Sequence, residues 1–126
     1  MNLVHMKILF YSLLMMVLFS CSKISSTNNT ITCSFSVTTA KPLSKNQSVQ
    51  YTAGISGTGG TISSVTYTDS AGMTTIQNPT IPFIQHVNLK VNVFPTMSAK
   101  GIANLGGTLL IYIDADSLQS GNGCNN

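Results

Sequence analysis

"TITCSFSVT", Thr30 to Thr38, decides the fold of this chain. Ile31, Cys33, Phe35 and Val37 occupy every second position, and Thr30, Thr32, Ser34, Ser36 and Thr38 fill the gaps. Period-two alternation is the mark of a strand with one face in a core and one in water. The pattern returns along the chain. Val49, Tyr51, Ala53 and Ile55 repeat it before the turn sequence Gly57-Thr58-Gly59-Gly60. Val65 and Tyr67 mark a third strand, which runs into Asp69-Ser70-Ala71-Gly72, a cluster of turn formers. A shorter strand from Thr74 to Gln77 completes a hairpin.

Asn78-Pro79 and Pro82 interrupt the next segment, since proline has no N–H for a ladder. Val87, Leu89, Val91 and Val93 then alternate with His86, Asn88, Lys90 and Asn92, and Pro95 stops them. Met97 and Ala99 predict a short strand ending at Gly101. Asn104-Leu105-Gly106-Gly107 turns the chain into a strand from Thr108 to Asp114, with Leu109, Ile111 and Ile113 inward. Asp114-Ala115-Asp116-Ser117 predicts a last turn, and "SGNGCNN" after it has no pattern of its own. No segment has helical periodicity. About seven strands at this spacing predict an all-β chain, a small antiparallel Ig-like β-sandwich.

Composition agrees with a folded, weakly charged domain. The chain has 126 residues, six lysines, three aspartates, no arginine and no glutamate, and its formal charge is +3. Disorder requires low hydrophobicity with high net charge, and neither holds here. Scattered lysines without clustering are no nucleic-acid footprint, so no nucleic-acid partner is expected.

Ahead of the first strand lies a different composition. Ile8 to Phe19 is twelve residues without a charge, preceded by Lys7 and closed by the small Ser20. A helix of that length reaches roughly 18 Å against a hydrocarbon core about 30 Å thick, too short to span it. This is the layout of a secretory signal, and Met6 would serve as its start as well as Met1. Leu18-Phe19-Ser20-Cys21 resembles the lipobox of bacterial lipoproteins. The resemblance implies diacylglyceryl transfer to the Cys21 thiol, cleavage before it and acylation of the new amine. Only a thiolate is a good enough nucleophile for that transfer. The alternatives are an ordinary signal in which Cys21 is incidental and a core cysteine in a buried helix. Several acyl chains on one residue give a stable anchor where one is marginal.

The expected organisation is therefore a removed lipoprotein signal peptide at 1–20, a polar, flexible tether at 21–30 and a β-sandwich domain at 31–126. Ser22 differs from the Asp associated with inner-membrane retention, which points to the outer membrane as the site of attachment. Cys33 and Cys124 remain once Cys21 is lipidated. In an oxidising compartment they form a candidate disulfide, worth about 4–5 kcal/mol for a loop of about 90 residues. Cys33 also reads as a small buried hydrophobe within its strand.

From Val49 onward the order of features resembles the MmpS-like family of small extracytoplasmic β-sandwich proteins. The resemblance rests on Tyr51 in its strand, Val65-Thr66-Tyr67-Thr68-Asp69 entering a glycine-containing hairpin and Ile81-Pro82-Phe83. Ser98-Ala99 and Ile111-Tyr112-Ile113-Asp114 complete it, so that it covers residues 49 to 116. It implies an accessory role beside RND-type exporters, with an envelope protein or transporter as partner. Anchoring through a lipobox and the patternless C-terminus depart from the family pattern.

Candidate chemistry is sparse. Beyond Cys21 the chain holds one histidine, His86, on the polar side of its strand, and the carboxylates Asp69, Asp114 and Asp116. General acid–base catalysis needs a titratable group placed against another or against substrate. Asp69 reads as a turn cap, and Asp114 with Asp116 lacks the further oxygens of a calcium loop. No catalytic residue, cofactor or metal site is expected. A lipid-anchored envelope binding or accessory protein follows, with a structural or adhesive surface lipoprotein as the alternative and a hydrolase using His86 as the third reading.

Overall fold

The computed structural model describes residues 29–126; the expected signal peptide, Cys21 and the linker through Asn28 lie outside them. Among the described residues eight strands follow one another without a helix: β1 (Thr30–Thr38), β2 (Gln47–Gly57), β3 (Gly60–Asp69), β4 (Gly72–Gln77), β5 (Phe83–Leu89), β6 (Thr96–Asn104), β7 (Gly107–Ala115) and β8 (Leu118–Asn125). They form two four-stranded sheets, ordered β1-β6-β3-β4 and β5-β2-β7-β8. Every neighbouring pair is antiparallel. The molecule is a small β-sandwich. Only β3–β4 and β7–β8 are hairpins within a sheet; the remaining connections cross from one sheet to the other.

Alternation builds the core directly. Val49, Tyr51 and Ala53 of β2 and Leu109, Ile111, Ile113 and Ala115 of β7 point from one sheet. Ile62, Val65 and Tyr67 of β3, Met97, Ala99 and Ala103 of β6 and Cys33 of β1 point from the other. Fully burying an aliphatic side chain of this size contributes about 1.5–3 kcal/mol. Ile62 and Val65 both face inward although they are three positions apart, because a register shift between Ile62 and Ser64 bulges β3. Tyr51 stacks on Tyr67 at 5.2 Å between ring centroids, and Tyr67 on Phe83 of β5 at 5.9 Å. This tilted aromatic row fills the side of the sandwich away from β1 and β8.

Five sequence expectations change. The strand expected to run to Val93 ends at Leu89. Asn92 has φ of 66°, its N–H donates to the Leu43 carbonyl at 2.8 Å, and Val93 accepts from Leu43 N–H at 2.8 Å. Those bonds fix a crossing loop, so Val91 is exposed and extends no ladder. The strand expected to stop at Gly101 continues to Asn104, with Gly101 buried in mid-strand. Asp114 and Ala115 belong to β7, and the turn is Asp116-Ser117 alone. The patternless tail is β8, which raises about seven strands to eight. At the front, β1 begins at Thr30, one residue ahead of the expected domain start at 31.

Candidate functional site

The outer face of the β1-β6-β3-β4 sheet carries hydroxyls in register. Ser36, Ser98, Thr66 and Thr75 stand in one row across all four strands. Thr38, Thr96 and Thr68 stand in the next. Neighbours within the rows are hydrogen-bonded: Thr38 to Thr96 at 2.9 Å, Thr66 to Thr75 at 2.8 Å, and Thr96 N–H to Thr68 Oγ1 at 3.0 Å. The rows exist because alternation leaves the small polar half of each strand outside the core.

Further along the same face the rows open into a groove of about 480 Å³. Thr32 and Ser34 of β1, Lys100 and Ile102 of β6 and Thr61 and Ser63 of β3 line it, over the bare backbone of Gly101. The β3 bulge shapes one wall: Ser63 donates to the Lys100 carbonyl at 3.1 Å, and its own carbonyl accepts from Asn78 N–H at 2.8 Å. Among the described residues the Lys100 ammonium has no carboxylate within ion-pair distance. The exposed lining is mostly carbon, with a few hydroxyls and the Lys100 ammonium at its edge, which suits an amphiphilic ligand with an anionic group.

The remaining residues of interest are dispersed. His86 is exposed on β5, in register with Gln50 of β2, whose other neighbour is Asp114 of β7. Two strand spacings, about 10 Å, therefore separate the imidazole strand from the carboxylate strand. Asp69 caps the β3–β4 turn. It accepts from Ser70 N–H, from Ser70 Oγ at 3.0 Å and from Thr74 Oγ1 at 3.1 Å. The Ser70 N–H, then those hydroxyls, hold its carboxyl below the usual aspartate value. Asp116 pairs with Lys45 at 3.3 Å in full view of solvent, a contact of little energetic weight. Among the described residues no three His, Cys, Asp or Glu side chains gather as metal ligands.

Cys33 and Cys124 are brought together as a disulfide, with Cα atoms 6.0 Å apart. Cys21 lies outside the described residues. Gly57-Thr58-Gly59-Gly60 forms the β2–β3 connection, tied to the β6–β7 turn by Asn104 N–H to Gly59 O at 3.1 Å. Sequence reasoning passed over Lys100 and Ser63 because a bulge has no period to betray it. It also passed over Leu105, read only as part of a turn. No helix among the described residues is long and apolar enough to cross a membrane. No protein-family model, curated protein or solved structure matches this chain.

Proposed function

We propose that this chain is a lipid-anchored binding protein of the bacterial envelope, held to the outer membrane through Cys21 and serving as an accessory to an RND-type export system. The lipobox Leu18-Phe19-Ser20-Cys21, closing an uncharged stretch too short to span a bilayer, is the observation that carries the reading. The resemblance to MmpS-like proteins supports the accessory role. The groove between β1, β6 and β3 supplies a surface on which an amphiphilic ligand or a partner would sit. The role is non-catalytic: His86 stands on a solvent-exposed strand with β2 between it and Asp114.

The test is the Cys21→Ser variant expressed in a bacterial host. Unmodified protein is expected in the membrane fraction with an acylated, cleaved N-terminus by intact mass, and the variant in soluble fractions. A variant that stays with the membrane refutes lipid anchoring. Crosslinked pull-down from the envelope then tests the accessory role, with recovery of a transporter component as the supporting outcome. Recovery of surface polysaccharide or adhesin components alone would favour the adhesive alternative instead.

A further inference from the structure

The chain enters the fold at one end of the sandwich, and that end has a distinct chemistry. Asn29 O accepts from Leu105 N–H at 2.6 Å and from Asn126 Nδ2 at 3.2 Å. The first described residue is thus fixed to the β6–β7 turn. Thr58 of the β2–β3 turn donates through Oγ1 to the Leu105 carbonyl, and its N–H to Gly106 O at 3.3 Å. Both turns and the point of entry form one braced platform.

Apolar side chains are exposed on it. Leu105 at the turn tip is 61% exposed, and Ile102 and Ile31 on the adjoining strand ends are 46% and 37% exposed. The platform's turns carry no charged side chain; the nearest along the strands is Lys100, three residues up β6 from Ala103. At the opposite end, roughly a strand length of 30 Å away, the loops and turns hold Lys41, Lys45, Lys90, Asp69 and Asp116. That end also exposes Val91, Phe94 and Met73, so the two ends differ in charge rather than in apolar exposure.

We infer that the Leu105 end of the sandwich rests on the bilayer, with Leu105 inserted among the lipid headgroups. The inference depends on the proposed anchor at Cys21. From that anchor, Ser22 to Asn28 leaves seven residues before Asn29, a reach of at most about 25 Å. So short a link delivers the Asn29 end first. An exposed leucine on a turn without charged side chains loses water contact at that surface, and the short link keeps this end, not the opposite one, against it. The groove on the β1-β6-β3 face then stands beside the membrane and opens along it.

Tryptophan is absent from the chain, so a single one reports on its own position. Lipidated, processed Leu105→Trp, Ile102→Trp and Ala71→Trp proteins are reconstituted into phosphatidylethanolamine–phosphatidylglycerol vesicles, with and without lipids brominated near the headgroup. Ala71 lies in the exposed β3–β4 turn at the far end. The expected result is blue-shifted emission quenched by brominated lipid for Leu105→Trp, weaker quenching for Ile102→Trp, and unquenched, solvent-like emission for Ala71→Trp. Protein that floats with vesicles while the first two probes remain solvent-like overturns the inference and leaves the anchor intact. Blue-shifted but unquenched emission assigns the end to a protein contact and also overturns it. Protein that fails to float removes both the inference and the anchor on which it rests.

Discussion

Cys33 of β1 is bonded to Cys124 of β8, 91 residues later, so the disulfide joins the edge strand of one sheet to the edge strand of the other. The same edge has a second tie, from Asn122 Nδ2 to the Ser36 carbonyl at 2.8 Å. β8 needs both. Its sequence, Leu-Gln-Ser-Gly-Asn-Gly-Cys-Asn, gives the core little beyond the partly buried Leu118 and Cys124. The ladder to β7 and the crosslink hold it where hydrophobic burial does not.

Replacing the pair, Cys33→Ser with Cys124→Ser, is expected to lower stability by about 4–5 kcal/mol in the chain-entropy account. Urea unfolding of the two proteins measures the difference. Hydrogen exchange should show β8 amides losing protection before those of β2 and β7, since β8 then keeps one neighbour and only the Asn122–Ser36 hydrogen bond across the edge. A difference under about 1 kcal/mol would show that the edge is held without the crosslink.

That edge also marks the limit of what the residues alone disclose. β1, β2 and β7 were legible because each places apolar residues at every second position, and apart from the exposed Ile31 those residues lie in the core or pack against it. β8 was not, because its inward contribution is small and Gly121 and Gly123 lie under Tyr112 and Leu110 of β7. Its strand character comes from its neighbour. The valine alternation after Leu89 misled for the converse reason: side-chain period says nothing about where backbone donors go, and Val91 N–H donates to Asn46 Oδ1 at 2.8 Å. Of the candidate surface, the hydroxyl halves of the strands were visible. The groove required the bulge and the register of three strands distant in sequence.

Tyr51 tests the core's polar content. Its ring is fully buried against Tyr67, while its hydroxyl has no hydrogen-bond partner among the described residues. Burial pushes the phenol up to about 12. An unsatisfied buried hydroxyl is costly, so Tyr51→Phe is expected to stabilise the fold by about 1 kcal/mol. Because the folded pKa is raised, the tyrosine contributes stability below about pH 10 that is lost as pH climbs toward the folded value. The Phe variant should lose less stability over that alkaline span. A destabilised Tyr51→Phe protein would reveal a hydrogen bond to the hydroxyl, with Thr68 the neighbour to examine.

Asp69 gives the acid counterpart. Its carboxyl is held low chiefly by Ser70 N–H, so the folded state prefers the ionised form. That preference contributes stability above about pH 4 and is lost as pH falls through the depressed folded value. The stability difference between the unmodified protein and Asp69→Asn should therefore shrink on acidification from neutral pH. Denaturant midpoints taken across the acid range measure it, and a difference independent of pH would assign the turn's strength to chain geometry alone.

Two glycines separate inter-sheet packing from backbone freedom. Gly54 and Gly101 both lie within inner strands, β2 and β6. A Cβ on Gly54 meets nothing within 4 Å, whereas one on Gly101 would lie 2.1 Å from the Thr61 carbonyl oxygen and 2.8 Å from Leu109 Cδ1. Gly54→Ala only narrows the unfolded ensemble and is expected to stabilise by about 0.4–1 kcal/mol. Gly101→Ala forces β3 and Leu109 of the facing sheet to move, and overpacking of that kind costs about 1–3 kcal/mol. The paired midpoints in urea decide the matter. Equal effects would mean that Leu109 is not seated against the β6 backbone and that the sheets meet less closely than Gly101 allows.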